Sequence, residues 1–213
     1  MPFTLSRKLV ARADLPPAED AVAVAASFLG DAAAGWKRGP VYHGCVQSLT
    51  KTVDSELWAG RLSFHDEPYE FFAQGLRDNH LFHEQQFIAQ IQSFTVGDTV
   101  QGWQDHEIHY NMSPVMTHRV FNEWVLAYEV PGKAEFYVIS VPSDSPVPPR
   151  SIRGAYGAVE RVRVLDDGRV EWFMVTSGAV NGLIPQFLQD RAVAKAIAED
   201  VPSYIKFAKS YFK

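Results

Sequence analysis

The 213-residue chain sets 20 Lys and Arg against 25 Asp and Glu, giving a formal charge of -5 and a pI near 5.8. That balance argues against sequence-independent nucleic-acid binding, which needs clustered basic side chains to displace counterions, and against adhesion to an anionic membrane surface. With 46% hydrophobic and 13% aromatic residues, one continuous core is feasible, so a single domain over 1–213 is expected, ordered nearly end to end.

Met1 to Ala13 places Arg7, Lys8 and Arg12 among short apolar stretches and lacks the continuous apolar block of a secretory signal. No stretch approaches the roughly 18 apolar residues of a membrane span. The lone cysteine, Cys45, cannot form an intramolecular disulfide and reads as a small core residue. A cytoplasmic protein without integral membrane association is expected.

Asp14, Pro16, Pro17, Glu19 and Asp20 announce a helix, because Pro suits the first turn and acidic groups complement the helix dipole there. The N-terminal helical segment is assigned to 14–35, running through Phe28 before Gly30 and Gly35 break it. The sheet and its inserted helices are assigned to 41–177, beginning with a strand from Val41 to Leu49. From Leu57 to His65 alternation puts Trp58, Leu62 and Phe64 on one face, and Leu57, Ala59, Arg61, Ser63 and His65 on the other. Tyr69, Phe72, Leu76, His80, His83 and Phe87 then recur at helical intervals.

Gly97-Asp98 is read as a turn into the next strand. Further strands are expected at Thr99–Tyr110, Phe121–Val130, Glu135–Val141, Ile152–Leu165 and Arg169–Ser177. Pro131-Gly132 and Asp167-Gly168 supply hairpin turns. A long amphipathic lid helix follows over 183–212, its face carrying Ile184, Phe187, Leu188, Ala192, Ile197, Val201, Tyr204, Ile205, Ala208 and Phe212. Pro202 is expected to kink or split it.

This order of elements resembles the START or helix-grip superfamily, an α+β fold in which a curved antiparallel sheet wraps around a long C-terminal helix with an internal cavity. Arg153-Gly154-Ala155-Tyr156-Gly157-Ala158-Val159-Glu160-Arg161, followed by Val170-Glu171-Trp172, looks like the paired late strands of such domains. Ser177 to Pro185 is similar to the loop that enters their lid helix. Where they usually carry Arg-Asp-Phe-Val, this chain has His118-Arg119-Val120-Phe121. More narrowly, Trp58 to His65 and Leu76 to Phe87 resemble a fungal START-like domain family of unknown function. The resemblance implies a cavity for an apolar molecule and leaves open whether that cavity performs a reaction.

An Arg on an inward strand face is expensive to bury without a carboxylate, so Arg61 is expected to find Glu160 or Glu171 and to orient a ligand's polar end. Ser63 shares its face. Trp103, Tyr110, Tyr137, Trp172 and Met174 offer apolar area with a few donors for a binding wall. His65, His80 and Tyr156 are the candidate acid-base groups if the cavity is catalytic. His80 and His83 lie three apart beside Glu84, but no third ligand is identifiable, and no metal or other cofactor is assigned. His83 is expected to be partly exposed, and His106, His109 and His118 are read as ordinary polar residues.

There is no nucleophile elbow, phosphate-binding loop or dinucleotide fingerprint in the chain. The expected function is therefore binding of a small hydrophobic ligand, a lipid or an isoprenoid or polyketide metabolite. The alternative is a cofactor-independent cyclase or isomerase of a natural-product intermediate using the same cavity.

Overall fold

The computed structural model describes residues 3–111, 118–179 and 186–212, with side chains over the same span except 32 and 186–192. Helix α1 (Ala18–Leu29) follows Pro17 and opens on Glu19 and Asp20, and the left-handed Gly30 ends it. Ten strands form one sheet: β1 (Lys37–Tyr42), β2 (Val46–Val53), β3 (Glu56–His65), β4 (Ile91–Val100), β5 (Trp103–Tyr110), β6 (Arg119–Glu129), β7 (Glu135–Pro142), β8 (Ile152–Arg153), β9 (Ala155–Val164) and β10 (Val170–Ala179). Their order is β1-β2-β3-β10-β9-β7-β6-β5-β4, antiparallel throughout, with the short β8 pairing parallel to β6.

Between β3 and β4 the chain makes α2 (Tyr69–Phe72), a π-helical turn over Ala73–Arg77, and α3 (His80–Phe87). The long terminal helix, α4, spans Gln186–Tyr211. Among the described residues no helix is long and apolar enough to cross a membrane.

Because side chains alternate along each strand, the sheet separates its residues into two layers. One face packs on α1: Trp58, Leu62, Trp124, Tyr137, Ile139, Phe173 and Val175 join Ala21, Ala25 and Leu29 in a closed core. The opposite, concave face receives α2, α3 and α4, where Val138, Val162 and Trp172 meet Phe72, Leu76, Val201, Tyr204 and Ala208. Tyr204 anchors α4 by donating its hydroxyl hydrogen to the Phe71 carbonyl at 2.6 Å, its ring lying over Gly75, where any side chain would collide with it.

Several expectations need correction. The stretch from Val41 to Leu49 is two strands separated by a turn at His43 and Gly44, both with positive φ. Gly97-Asp98 is no turn: it lies inside β4, where the register with β5 shifts between Val96 and Thr99, and the chain reverses instead at Gln101-Gly102. β4 went unread because it is an edge strand with few buried positions, so hydrophobic alternation never marks it. Pro202 does not split α4, which runs from Gln186 to Tyr211 with Pro202 on its exposed side. Cys45 is exposed in the β1–β2 connection and is not a core residue. His83 is buried, its ring set among Phe207, Tyr211 and Phe212. The expected lid-entry stretch Gly182 to Pro185 lies outside the described residues, as do the side chains of Phe187, Leu188 and Ala192.

Candidate binding cavity

Between the concave face and α4 lies a cavity of about 590 Å³, inside the roughly 300–1,000 Å³ typical of small-molecule pockets. Val125 and Val138 of β6 and β7, Ala158 and Met174 of β9 and β10, Leu76 of the helical insert, and Ile197 of α4 supply apolar wall. The polar part of the lining centres on three groups.

The first group is Arg61 with Glu160 and Trp172. Arg61 and Glu160 both register with Met174, one strand to either side, so the long guanidinium reaches across to the carboxylate, Nη2 to Oε1 at 3.2 Å. The guanidinium lies 3.8 Å from the Trp172 ring centre, and the Trp172 indole N–H donates to the same Glu160 oxygen. Burial pulls the Arg61 pKa below its ordinary value, with the Glu160 charge opposing. Its Nε and Nη1 have no partner among the described residues.

The second is a dyad on α3. His80 Nδ1–H donates to the Leu76 carbonyl at 2.6 Å, which turns Nε2 toward Glu84 Oε1 at 3.3 Å. Burial opposes the imidazolium, but the charge and hydrogen bond of Glu84, with the Glu160 charge and the Leu76 carbonyl, together outweigh it and lift the His80 pKa to about 9. Glu84 in turn is held below its ordinary value despite its own burial. At neutral pH the dyad is an ion pair.

The third group spans β5, β6 and α4. His106 and Glu123 are direct cross-strand partners. His106 Nε2 lies 2.9 Å from Gln104 Oε1, an acceptor, so Nε2 carries the proton and Nδ1 is a bare lone pair without a partner among the described residues. Burial and the His80 charge pull its pKa down to about 4. Burial and the Glu84 charge push Glu123 up to about 8, and burial lifts Asp200 to about 7. Tyr110 and Tyr156, both on the lining, are driven well above the ordinary phenol value by burial and remain neutral.

Of the residues singled out from sequence, Arg61, His80, Tyr110, Tyr156, Glu160, Trp172 and Met174 come together on this cavity. Ser63, His65, Trp103 and Tyr137 stand outside it. Tyr137 has the opposite strand parity and belongs to the α1 core. Trp103 shares that core and donates its indole N–H to the Pro16 carbonyl at 2.9 Å. Ser63 and His65 share the face of Arg61 but sit farther along β3, beneath α2, where Phe72 and Trp172 cover the His65 ring. There Ser63 Oγ lies 2.7 Å from His65 Nε2, and His65 Nδ1 lies 3.7 Å from Glu67. This has the order of a nucleophilic triad, but Ser63 is completely buried and does not line the cavity above, so it is not presented to a substrate there.

Glu123, His106 and Asp200 were not anticipated as site residues. A signal existed for Glu123: it occupies the inward parity between the apolar Phe121 and Val125, a costly place for a carboxyl.

Comparison with known proteins adds the context. Human StAR-related lipid transfer protein 5 superposes with a TM-score of 0.74 at 12% identity, covering 88% of this chain and 92% of that one. Human STARD10 gives 0.77 at 10% identity, with 92% and 81% covered. The STAR-related lipid transfer protein of Xanthomonas axonopodis gives 0.67 at 14%, with 82% and 99% covered. At such identities these likenesses establish the fold, a START-like helix grip. No curated protein matches the sequence. Residues 58–208 match the family described as "Protein of unknown function (DUF3074)", most of the chain, and the protein therefore belongs to that family.

Proposed function

We propose that this chain holds a small hydrophobic molecule, a lipid or an isoprenoid or polyketide metabolite, in the cavity between its concave sheet face and α4. The observation that carries this reading is a cavity with extensive apolar wall in which buried polar atoms, Arg61 Nε and Nη1 among them, lack partners among the described residues. A fold that only needed stability gains nothing by leaving such atoms unmet. Affinity comes from apolar burial, at roughly 25 cal/mol per Å², and orientation from the Arg61–Glu160 pair. Names of two compared proteins speak of lipid transfer, which supports an apolar cargo here. Native mass spectrometry on purified protein should reveal a bound or exchangeable apolar molecule. Absence of uptake across sterol, fatty-acid and polyketide panels contradicts the reading. A cytoplasmic location goes with it and is checked by cell fractionation.

One observation favours a second reading, a cofactor-independent cyclase or isomerase. His80 is a buried imidazolium on the cavity wall, and such a group can donate a proton to a substrate held in a reactive conformation. Turnover by the wild type that vanishes in a folded His80→Gln variant supports catalysis; equal turnover in both removes it.

A further inference from the structure

Charge is unevenly met inside the cavity. Glu160 is answered by Arg61 and Glu84 by His80. Glu199, on the lining but exposed to solvent, meets His43 at 3.1 Å. Glu123 on β6 and Asp200 on α4 also line the space, and among the described residues neither forms an ion pair with a cationic side chain.

Directly across the strands from Glu123 stands His106, 3% exposed, with its one N–H spent on Gln104 and its Nδ1 lone pair unanswered among the described residues. The side-chain hydrogen bond that lowers the Glu123 pKa comes, among the described residues, from the neutral Ser140 hydroxyl. Among the described residues this end of the cavity therefore offers an arriving cation two acceptors, the Glu123 carboxyl and His106 Nδ1, beside the neutral hydroxyls of Ser140, Tyr110 and Tyr156. The two cations on the lining, Arg61 and His80, are ion-paired with Glu160 and Glu84, not with Glu123, although Arg61 keeps Nε and Nη1 without partners among the described residues.

Resting on the binding reading above, we propose that the molecule taken by this cavity carries a basic nitrogen, protonated when bound and seated between Glu123 and His106 Nδ1, with its apolar body against Met174 and Ile197. An ammonium supplies donors to both acceptors and a counter-charge to the carboxylate. A ligand carboxylate meets Glu84, Glu123 and Asp200 instead. A hydroxyl can donate to one acceptor and brings no charge.

The groups that face Glu123 set its proton balance. His80 and Glu84 approach from α3, Tyr110 joins His106 on β5, Tyr156 and Asp200 lie on β9 and α4, and Arg61 is bound to Glu160. The tyrosines stay neutral, and burial with the Glu84 charge outweighs the opposing His80 charge. Glu123, pushed up to about 8, thus holds its proton near neutral pH in the empty cavity and releases it when a cation arrives. Amine binding should expel protons and strengthen as pH rises toward about 8.

The test uses decylamine, decanol and decanoate, one apolar chain with three heads, titrated calorimetrically into the full chain near neutral pH in two buffers of different ionisation enthalpy. Decylamine should bind at least about tenfold tighter than decanol, with proton release, and decanoate should be weakest. Glu123→Gln should narrow the amine-to-alcohol ratio to below about threefold. An amine no tighter than the alcohol, decanoate binding best, an absence of proton release, or an unchanged ratio in Glu123→Gln overturns the inference while leaving apolar binding standing. Failure of all three probes to bind overturns both. The head-group ranking and the proton count are read on the wild type, so they decide the matter even where the variant fails to fold.

Discussion

On adjacent residues of β10, Phe173 and Met174 point to opposite faces of the same sheet. Phe173 is fully buried and sealed, edge-on to Trp36 in the core beneath α1. Met174 is nearly as buried, yet it borders the cavity. The ion pairs on the neighbouring strands repeat the contrast. On the α1 face Glu171 accepts from Arg161 Nε and Nη2 at 3.1 and 2.8 Å and from Arg163 Nη2 at 3.0 Å, so both of its oxygens are used. On the concave face Glu160 receives one guanidinium bond, and Arg61 keeps two nitrogens unpartnered among the described residues. Burial of charge alone therefore does not mark a binding site. Burial with atoms left unmet, beside open volume, does.

Substitutions that treat the two faces alike should produce unlike results. The largest difference is expected at β10: Phe173→Ala leaves a void in a closed core and should cost about 3–5 kcal/mol in urea denaturation. Met174→Ala enlarges a space that already exists and should cost about 1 kcal/mol. Equal losses would mean that the concave face packs as tightly as the other.

The ion pairs give the next contrast. Glu171→Gln strands two arginine charges under α1 and should destabilise by about 3 kcal/mol, whereas Glu160→Gln should cost about 1 kcal/mol, since Arg61 lies beside volume that water can enter. The smaller stability effect should come with the larger loss of ligand uptake. A reversed order would assign the structural role to Arg61–Glu160.

The pH dependence should show two limbs of smaller amplitude. His65 and His106 are held neutral by burial, their pKa values lowered from 6.5 to about 4. The unfolded chain takes up those protons first, so stability present above 6.5 falls as pH drops toward about 4. His80 runs the other way, since its stabilisation is complete below 6.5 and is lost as pH rises through about 9. His80→Gln should flatten the alkaline limb and also soften the acid one, because the His80 charge helps hold the His106 pKa down, whereas His106→Gln should weaken the acid limb alone. Denaturation midpoints across pH check both.

The same contrast explains what could be read without a structure. β3, β6, β7, β9 and β10 were visible because apolar residues with turns between them mark buried strands. Arg61 and Glu160 could be paired because an inward Arg demands a carboxylate. Which face each aromatic served was not legible where both faces are buried: Tyr137, facing α1, and Val138, facing the cavity, are equally buried, so parity without a reference point cannot assign them. Asp200 was hidden for another reason. On a helix of mixed polarity a carboxylate reads as solvent-facing until the helix is docked. His65 shared the face of Arg61, but the closure of that end by α2 and Tyr204 is a tertiary fact that strand alternation does not contain.

The most direct measurement fills the space and asks whether binding goes with it. Ala158, on the cavity wall, is replaced by Phe, and a fluorescent single-chain lipid probe is titrated into wild type and variant while thermal stability is followed. The wild type should bind the probe saturably; Ala158→Phe should bind it at least about tenfold more weakly, with stability changed by no more than about 1 kcal/mol. Equal binding by both proteins, or none by the wild type, would contradict a ligand held between the sheet and α4.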